Sequence, residues 1–98
     1  MSHWIVLFSD TPAMLRHRKK HGAAHIDYLK ANADAIITGG GFRAAPDAPF
    51  EGGMWIVNQL LSYDAVVDLV MNDPYYHPEA RRFQIKFWGK AIDAPVTV

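Results

Sequence analysis

The sequence predicts an α+β fold in which four strands and two helices follow the order β-α-β-β-α-β. Residues 4–8 and 54–58 are short apolar runs rich in strand formers and bounded by turn residues, which indicates strands rather than helices. Residues 12–33 and 63–72 have apolar residues at helical spacing and follow a residue that can cap a helix. The 98 residues, 50% of them hydrophobic, suffice for a single domain with a substantial core, which we place at residues 1–98.

The first half of the chain supplies the first strand, the first helix and the second strand. Polar residues and Pro12 interrupt the apolar run at 4–8, which indicates a central strand followed by a helix. Thr11 is a natural N-cap with Pro12 in the first turn, so we expect this helix to run from Pro12 to about Ala33. Residues 35–38 are predicted to form the second strand, which would end at three consecutive glycines. The buried helix face is predicted to comprise Leu15, Arg18, Gly22, Ile26, Leu29 and Ala33.

The second half supplies the remaining two strands and the second helix. Prolines and glycines predict a loop over residues 42–53, before the strand at 54–58. Ser62 is a good N-cap for a helix over 63–72, and Asp73-Pro74 ends that helix. Alternation over residues 83–88 predicts the fourth strand. The inward residues of the second helix are predicted to be Val66, Val67, Leu69 and Val70.

This order of elements is the ferredoxin-like arrangement. Right-handed crossovers place both helices on one face of a four-stranded antiparallel sheet. The strands at 4–8 and 54–57 carry apolar residues on both faces, which is more than two helices can cover. Because an exposed apolar sheet face usually marks an interface, we expect two copies of the chain to pack sheet against sheet as a homodimer.

Composition excludes several classes of function. Ten basic and ten acidic residues give a net charge of zero, which argues against nucleic-acid binding. The absence of cysteine removes thiol nucleophiles, disulfides and Cys-ligated metals. No apolar run reaches the roughly 18–20 residues that span a membrane, and the first residues lack the pattern of a signal peptide. We therefore expect a cytoplasmic protein without a membrane partner.

The first helix carries three histidines, His17, His21 and His25, at a spacing of four residues. By helical geometry, His25 lies at the margin of the buried face and could face a cleft between helix and sheet, whereas His17 is expected to face solvent. Imidazole is a base near neutral pH, so His25 suits acid–base catalysis. The alternative is a hydrogen-bonded histidine at the edge of the core.

The predicted topology places Asp73 at the same edge of the sheet as the N-terminal part of the first helix. A carboxylate on one imidazole nitrogen fixes the tautomer and raises the basicity of the other, so a pair of Asp73 with His25 would form a catalytic dyad. The alternative for Asp73 is a helix-end and turn residue. A metal on the histidines would need a third ligand from His77, Asp10 or Asp73, and the glutamate of a zinc-protease helix is missing, so we predict no metal.

Residues 25–29, His-Ile-Asp-Tyr-Leu, and residues 72–75, Asn-Asp-Pro-Tyr, resemble the YCII-related family, together with the glycine-rich second strand. The resemblance extends over roughly residues 4–92. It implies a ferredoxin-like subunit that pairs face to face as a dimeric α/β barrel, and an active-site cleft centred on a histidine and an aspartate, matched by His25 and Asp73. One branch of the family comprises dehydrochlorinases, and the wider superfamily includes muconolactone isomerases and cofactor-free oxygenases.

The chain departs from the family pattern at two places. The family often has an arginine three residues before the histidine, where this chain has Gly22, and Arg18, His21 or Arg43 are the candidates to supply that charge. The small residues that usually follow the Asp-Pro-aromatic motif are replaced by residues 77–80, His-Pro-Glu-Ala.

The sequence thus favours a homodimeric acid–base enzyme of the lyase, isomerase or dehydrohalogenase type that acts on a small cyclic or unsaturated acid. His25 is the predicted general acid–base and Asp73 its orienting partner. No cofactor is expected, because proton transfer needs no electron carrier. The alternative is a non-catalytic small-molecule-binding or interaction module on the same dimeric fold. The residues predicted to shape the pocket are His21, Tyr28, Trp55 and Tyr75.

Overall fold

The computed structural model describes residues 2–97 and contains the six predicted elements in the predicted order. The strands are β1 (Ser2–Asp10), β2 (Ile36–Arg43), β3 (Phe50–Val57) and β4 (Arg81–Gly89), and the helices are α1 (Met14–Ala31) and α2 (Tyr63–Asn72). The strands form one sheet in the order β2-β3-β1-β4, with every neighbouring pair antiparallel. The predicted α+β, ferredoxin-like architecture is confirmed.

The strands β2 and β3 are longer than predicted because glycines 39–41 do not end β2 but continue it, paired with residues 53–55 of β3. A Cβ added at Gly39 would lie 2.7 Å from the ring of Trp55, and one added at Gly41 would lie 2.5 Å from the ring of Phe50. Aromatic side chains therefore pack directly on bare backbone, which only glycine permits. The predicted loop over residues 42–53 shortens to residues 44–49.

The prediction that Thr11 caps the first helix is wrong. The helix α1 begins at Met14, preceded by Ala13, which has helical dihedrals and makes no side-chain cap. The backbone N–H and the hydroxyl of Thr11 both donate to the carbonyl oxygen of Ala80, at 2.9 and 3.3 Å. Thr11 therefore connects the end of β1 to the turn before β4, and its hydroxyl makes no cap bond to α1.

The second helix forms as the sequence predicts, from residue 63 to residue 72. The Ser62 hydroxyl accepts a hydrogen bond from the backbone N–H of Ala65 at 3.1 Å. This cap satisfies one of the backbone donors that a helix leaves free at its start. At the other end, Asp73 is the C-cap residue with extended dihedrals. The end of α2 therefore fixes where the Asp73 carboxylate can lie.

Both helices pack on one face of the sheet. The core on that face contains Val6 and Phe8 of β1, Trp55 and Val57 of β3, and Val66 of α2, all nearly inaccessible to solvent. The predicted buried face of α1 is only partly correct. Leu29 packs on this core, but Leu15 and Ile26 are 37% and 48% exposed. One part of α1 therefore stands away from the sheet and leaves space beneath it.

The opposite face of the sheet carries the alternate residues of the central strands, which include Ile5 and Leu7 of β1 and Met54 and Ile56 of β3. Residues 90–96 follow β4 without regular structure and form a groove with this face, next to Ile56. The described residues include no helix that is long and apolar enough to cross a membrane.

Candidate active site

A cleft of about 250 Å³ lies in the space between α1 and the helix-covered face of the sheet. The aromatic rings of Phe8, Phe50 and Trp55 form much of its wall. Backbone of glycines 39–41 forms another side, without side chains that would fill the space. The shape is a partly open apolar slot, and its polar groups come from the residues described next.

His25 lines this cleft from α1 and is held by Asp73. Its Nδ1 lies 2.7 Å from Oδ1 of Asp73, a residue that is only 4% exposed. An ionised carboxylate accepts hydrogen bonds and cannot donate, so Nδ1 donates and the neutral ring keeps its lone pair on Nε2. No group among residues 2–97 is hydrogen-bonded to this Nε2. The ring at the cleft therefore carries an unoccupied basic nitrogen.

Tyr75 fixes the same pair from a second side. Its ring is parallel to the His25 ring, with centroids 3.7 Å apart and planes at 9°. Its backbone N–H donates to the same oxygen of Asp73, at 3.0 Å. An aspartate that bonds the backbone two residues ahead forms an Asx turn, so Asp73 is both a turn residue and the partner of His25. The turn after α2 therefore orients the imidazole.

Two arginines supply the charge that lines the cleft. Arg81 makes a bidentate ion pair with Asp10, with Nε and Nη2 at 2.7 and 3.0 Å from the two carboxylate oxygens. Arg18 lies close to the same carboxylate, with Nε 3.6 Å from Oδ2, and donates from Nη2 to the carbonyl oxygen of Gly52 at 2.8 Å. The guanidinium of Arg18 also stands over the ring of Phe50, 4.4 Å from its centroid.

The carboxylates that pair with the basic groups of the cleft are buried: Asp10 pairs with both arginines, and Asp73 pairs with His25. The side chains of Asp10 and Asp73 are 1% and 2% exposed, and neither lines the cleft. Burial lowers the pKa of Arg18 below its ordinary value, and the neighbouring charge of Arg81 lowers that pKa further. A ligand in the cleft therefore meets positive groups whose solvation is incomplete, an environment that favours an anion.

The structure brings together four of the six residues that the sequence predicted for the site and leaves two outside. His25, Trp55 and Tyr75 line the cleft, and Asp73 supports His25. Tyr28 instead packs on the core and donates its hydroxyl hydrogen to the carbonyl oxygen of Leu69 at 2.6 Å.

The other residue outside the cleft is His21, which belongs to a second cleft on the flank of α1. The prediction that His17 faces solvent is wrong, because its ring is half-buried between His21 and His77. Nε2 of His17 donates to the carbonyl oxygen of Pro74 at 2.8 Å. No group of three His, Asp or Glu side chains in residues 2–97 has an arrangement that could hold a metal ion.

Among the three candidates for the missing family arginine, Arg18 is the one that lines the cleft. Position 22 itself is close to Tyr75, because a Cβ added at Gly22 would lie 3.5 Å from the tyrosine hydroxyl. The guanidinium of Arg43 lies over the ring of Phe50, 4.0 Å from its centroid, and donates from Nη1 to the carbonyl oxygen of Pro46. The positive charge that the family arginine would supply at position 22 is therefore supplied by Arg18, one helical turn before that position.

The sequence patterns name Asp10 only as a possible metal ligand and do not single out Arg81, although the pairing of these two residues could have been found. The two are direct partners in the β1–β4 register, where opposite charges on neighbouring strands attract. The predicted fourth strand began at residue 83, so this pairing was not visible. The position of Arg18 was also informative. A charged residue on the predicted buried face of a helix needs a partner there.

Comparison with known proteins gives one family and two solved structures. The YCII-related domain family matches residues 2–89. The 5-chloro-2-hydroxyhydroquinone dehydrochlorinase of Burkholderia phenoliruptrix AC1100, solved in complex with 2,5-dihydroxybenzoquinone, is similar with a TM-score of 0.75 and 26% identity, covering 91% of this chain and 94% of the other. A comparison with curated protein sequences finds no match.

The second structure is a dimeric ferredoxin-like protein from an uncultured marine organism, with a TM-score of 0.54. It covers 95% of this chain and 98% of its own, and the identity is 7%. At that identity the likeness supports the fold alone.

Proposed function

The protein belongs to the YCII-related domain family, and from this membership we propose that it is an acid–base enzyme, without a cofactor, that converts a small cyclic or unsaturated acid. The observation that carries the proposal is the 2.7 Å hydrogen bond between His25 and Asp73 at the edge of a cleft. The similarity over 91% of the chain to a dehydrochlorinase supports conversion of a small molecule.

In this proposal, His25 is the general base and then the general acid. Its Nε2 takes a proton from a carbon or hydroxyl next to a carbonyl or enol group, and the proton that forms the imidazolium can be returned later in the cycle. Asp73 keeps the opposite nitrogen protonated and stabilises the positive ring. Tyr75, stacked on the imidazole, restricts its rotation. Proton transfer of this kind is worth about 10²–10⁴-fold in rate.

Arg18 and Arg81 support an acidic substrate. Both line the cleft, and the Asp10 carboxylate that pairs with both of them is buried and does not line it. A carboxylate or enolate oxygen would therefore meet a guanidinium before any acidic group, which favours binding of an anion and stabilises negative charge that develops on oxygen. Trp55 and Phe50 would contact the apolar part of a ring.

Elimination of a halide is the reaction type that we favour within this class. His25 removes a proton, the electron pair of the broken bond forms a new double bond, and the carbon–halogen bond breaks to release halide. The atoms and electrons balance without an oxidant or a reductant. An isomerase reaction would use the same base and would return the proton to another carbon.

The rival function is a binding module in which His25 is only a hydrogen-bonded residue at the edge of the cleft. The two functions differ in what a ligand does after it binds, because the module would hold a small acid without forming a product.

The test combines a substrate screen with two substitutions. We expect turnover of 5-chloro-2-hydroxyhydroquinone or of another halogenated or enolic acid, and slower turnover of the matching methyl esters where the acid is a carboxylic acid. His25→Asn is expected to lower kcat by about 100-fold or more, because the base is lost. Asp73→Asn is expected to lower kcat by less and to shift the pH–rate profile, because an amide cannot stabilise the imidazolium in the same way.

Asp27→Asn and Asp68→Asn are matched controls, since both residues are exposed on α1 and α2. Thermal unfolding of each variant separates loss of chemistry from loss of fold. Turnover that survives His25→Asn in a folded protein would contradict the catalytic role. Saturable binding without any product across the screen would favour the module.

We further propose that the active form is a homodimer in which the open faces of two sheets pack together. The apolar residues of β1 and β3 on that face support this arrangement.

A further inference from the structure

The second cleft, on the flank of α1, contains a group of basic side chains that the proposed reaction does not use. It has a volume of about 410 Å³ and lies between the first half of α1 and the segment that follows α2. Its ionisable lining residues are Arg16, His17, Lys20 and His21 of α1 and His77 from the opposite side. All of them are bases, and no carboxylate among residues 2–97 lines this cleft.

The three imidazoles are held against one another. The ring of His17 lies between His21, with centroids 4.3 Å apart, and His77, with centroids 4.6 Å apart and planes at 16°. The hydrogen bond from His17 Nε2 to the Pro74 carbonyl oxygen fixes the central ring. Arg16 and Lys20 form no ion pair with the part of the chain that the structure describes.

We propose that this cleft is a binding site for a doubly charged oxyanion, such as the phosphate group of a small molecule. Guanidinium, ammonium and imidazole donors reach the same space from two segments of the chain, and a multiply charged oxyanion can accept hydrogen bonds from several of them at once. The space is larger than a bare phosphate needs. The proposal is independent of the reaction in the first cleft.

The environment of His17 gives this site a pH dependence. Burial lowers the pKa of His17 most, the hydrogen bond to Pro74 opposes this effect, and the charges of His21, His77 and Arg81 lower the pKa further. A bound dianion would oppose that repulsion and raise the pKa of His17 again. Binding should therefore take up a proton, and affinity should increase as the pH falls.

The experiment titrates the full chain with sodium sulfate and follows the histidine ring signals by NMR, with sodium chloride keeping the ionic strength constant. Sulfate is a suitable probe because it stays a dianion at about pH 6 and at about pH 8. We expect saturable changes at His17, His21 and His77, with an affinity several-fold higher at the lower pH. Arg16→Gln combined with Lys20→Gln should weaken the affinity about tenfold.

The matched control is Lys19→Gln combined with Lys30→Gln, which removes two exposed positive charges from the same helix outside the cleft. This control should keep the wild-type affinity. An equal loss of affinity in both double variants would overturn the proposal, because the effect would then follow net charge. Shifts confined to His25, or no saturation in the wild type, would also overturn it.

A second titration distinguishes two sources of the anion. Tighter binding of a simple phosphomonoester than of inorganic phosphate would support a phosphorylated small molecule as the occupant. Equal affinities would support free phosphate.

Discussion

At the scale of single residues, each polar side chain of the first cleft is fixed by a partner that is remote in the sequence. Asp73 lies 48 residues from His25, and Arg81 lies 71 residues from Asp10. Such contacts leave little freedom for the side chains, and preorganised groups avoid the cost of reorganisation during a reaction. Tyr28 has a comparable long-range bond to Leu69, but that bond belongs to the core.

Tyr28 provides a test at this scale. Burial raises the pKa of Tyr28 above 10.0, and Asp73 raises the pKa further, so the folded state favours the neutral phenol. This stabilisation is complete below about pH 10 and is lost as the pH rises through the folded-state pKa. Tyr28→Phe is expected to lower the free energy of unfolding by about 0.5–1.5 kcal/mol at neutral pH, because the bond to Leu69 is lost, and to flatten the alkaline decline.

Urea unfolding at neutral pH and between about pH 9 and 11 measures both effects. Tyr63→Phe is the control, since Tyr63 is 52% exposed. The structure predicts unchanged kcat and KM for Tyr28→Phe. A changed KM at wild-type stability would instead return Tyr28 to the substrate site, where the sequence analysis had placed it.

At the scale of secondary structure, the glycine-rich strands determine how closely the layers of the site approach. The carbonyl oxygen of Phe8 in β1 would lie 2.2 Å from a Cβ added at Gly52 of β3. In β2, the rings of Trp55 and Phe50 occupy the space that side chains at positions 39 and 41 would need. The glycines therefore let aromatic rings of the cleft wall lie against backbone.

Two alanine substitutions test this account. Gly52→Ala is expected to destabilise the protein by about 1–3 kcal/mol, because the new methyl group overlaps the backbone of β1. Gly40→Ala is the matched control, since no atom lies within 4 Å of its added Cβ. Alanine inside a strand gains about 0.5–1 kcal/mol over glycine, so this control should be neutral or stabilising. Equal losses in urea unfolding of both variants would contradict the packing argument.

At the scale of the whole molecule, one face of the sheet carries the helices and the cleft, and the other is available for assembly. Ile56 of β3 lies on the second face, beside the groove that residues 90–96 form. A sheet with apolar residues on both faces is stable in water only when both faces are covered. Residues 90–96 cover part of the second face, and the proposed homodimer would cover more of it.

The dimer is tested by mass in solution. The wild type is expected at about twice the 11.0 kDa of one chain by light scattering after size-exclusion chromatography. Ile56→Lys is expected to give a folded monomer, because burying an unpaired ammonium group at the interface is costly. Leu60→Lys, at a residue 85% exposed in the turn before α2, should leave the dimer intact. A monomeric wild type at about 100 μM would contradict the proposal.

The sequence by itself determined the order of the six elements, the bounds and the cap of α2, and the nomination of His25 and Asp73. These features depend on local periodicity, on capping chemistry and on a motif, all of which can be read along the chain. The boundaries of β2 and β3 were harder to predict from sequence. Consecutive glycines usually indicate the end of a strand, but here aromatic rings from the neighbouring strand pack on them within the sheet.

Only the tertiary structure decided which basic residues of α1 belong to which cleft. Arg18 and His25 lie under the helix against the sheet, whereas His17 and His21 turn to the flank that meets His77. A helical pattern gives the angles between side chains but not the position of the segment after α2 or the register that aligns Asp10 with Arg81. Those are set by packing between parts of the chain that are far apart in sequence, and no local pattern contains them.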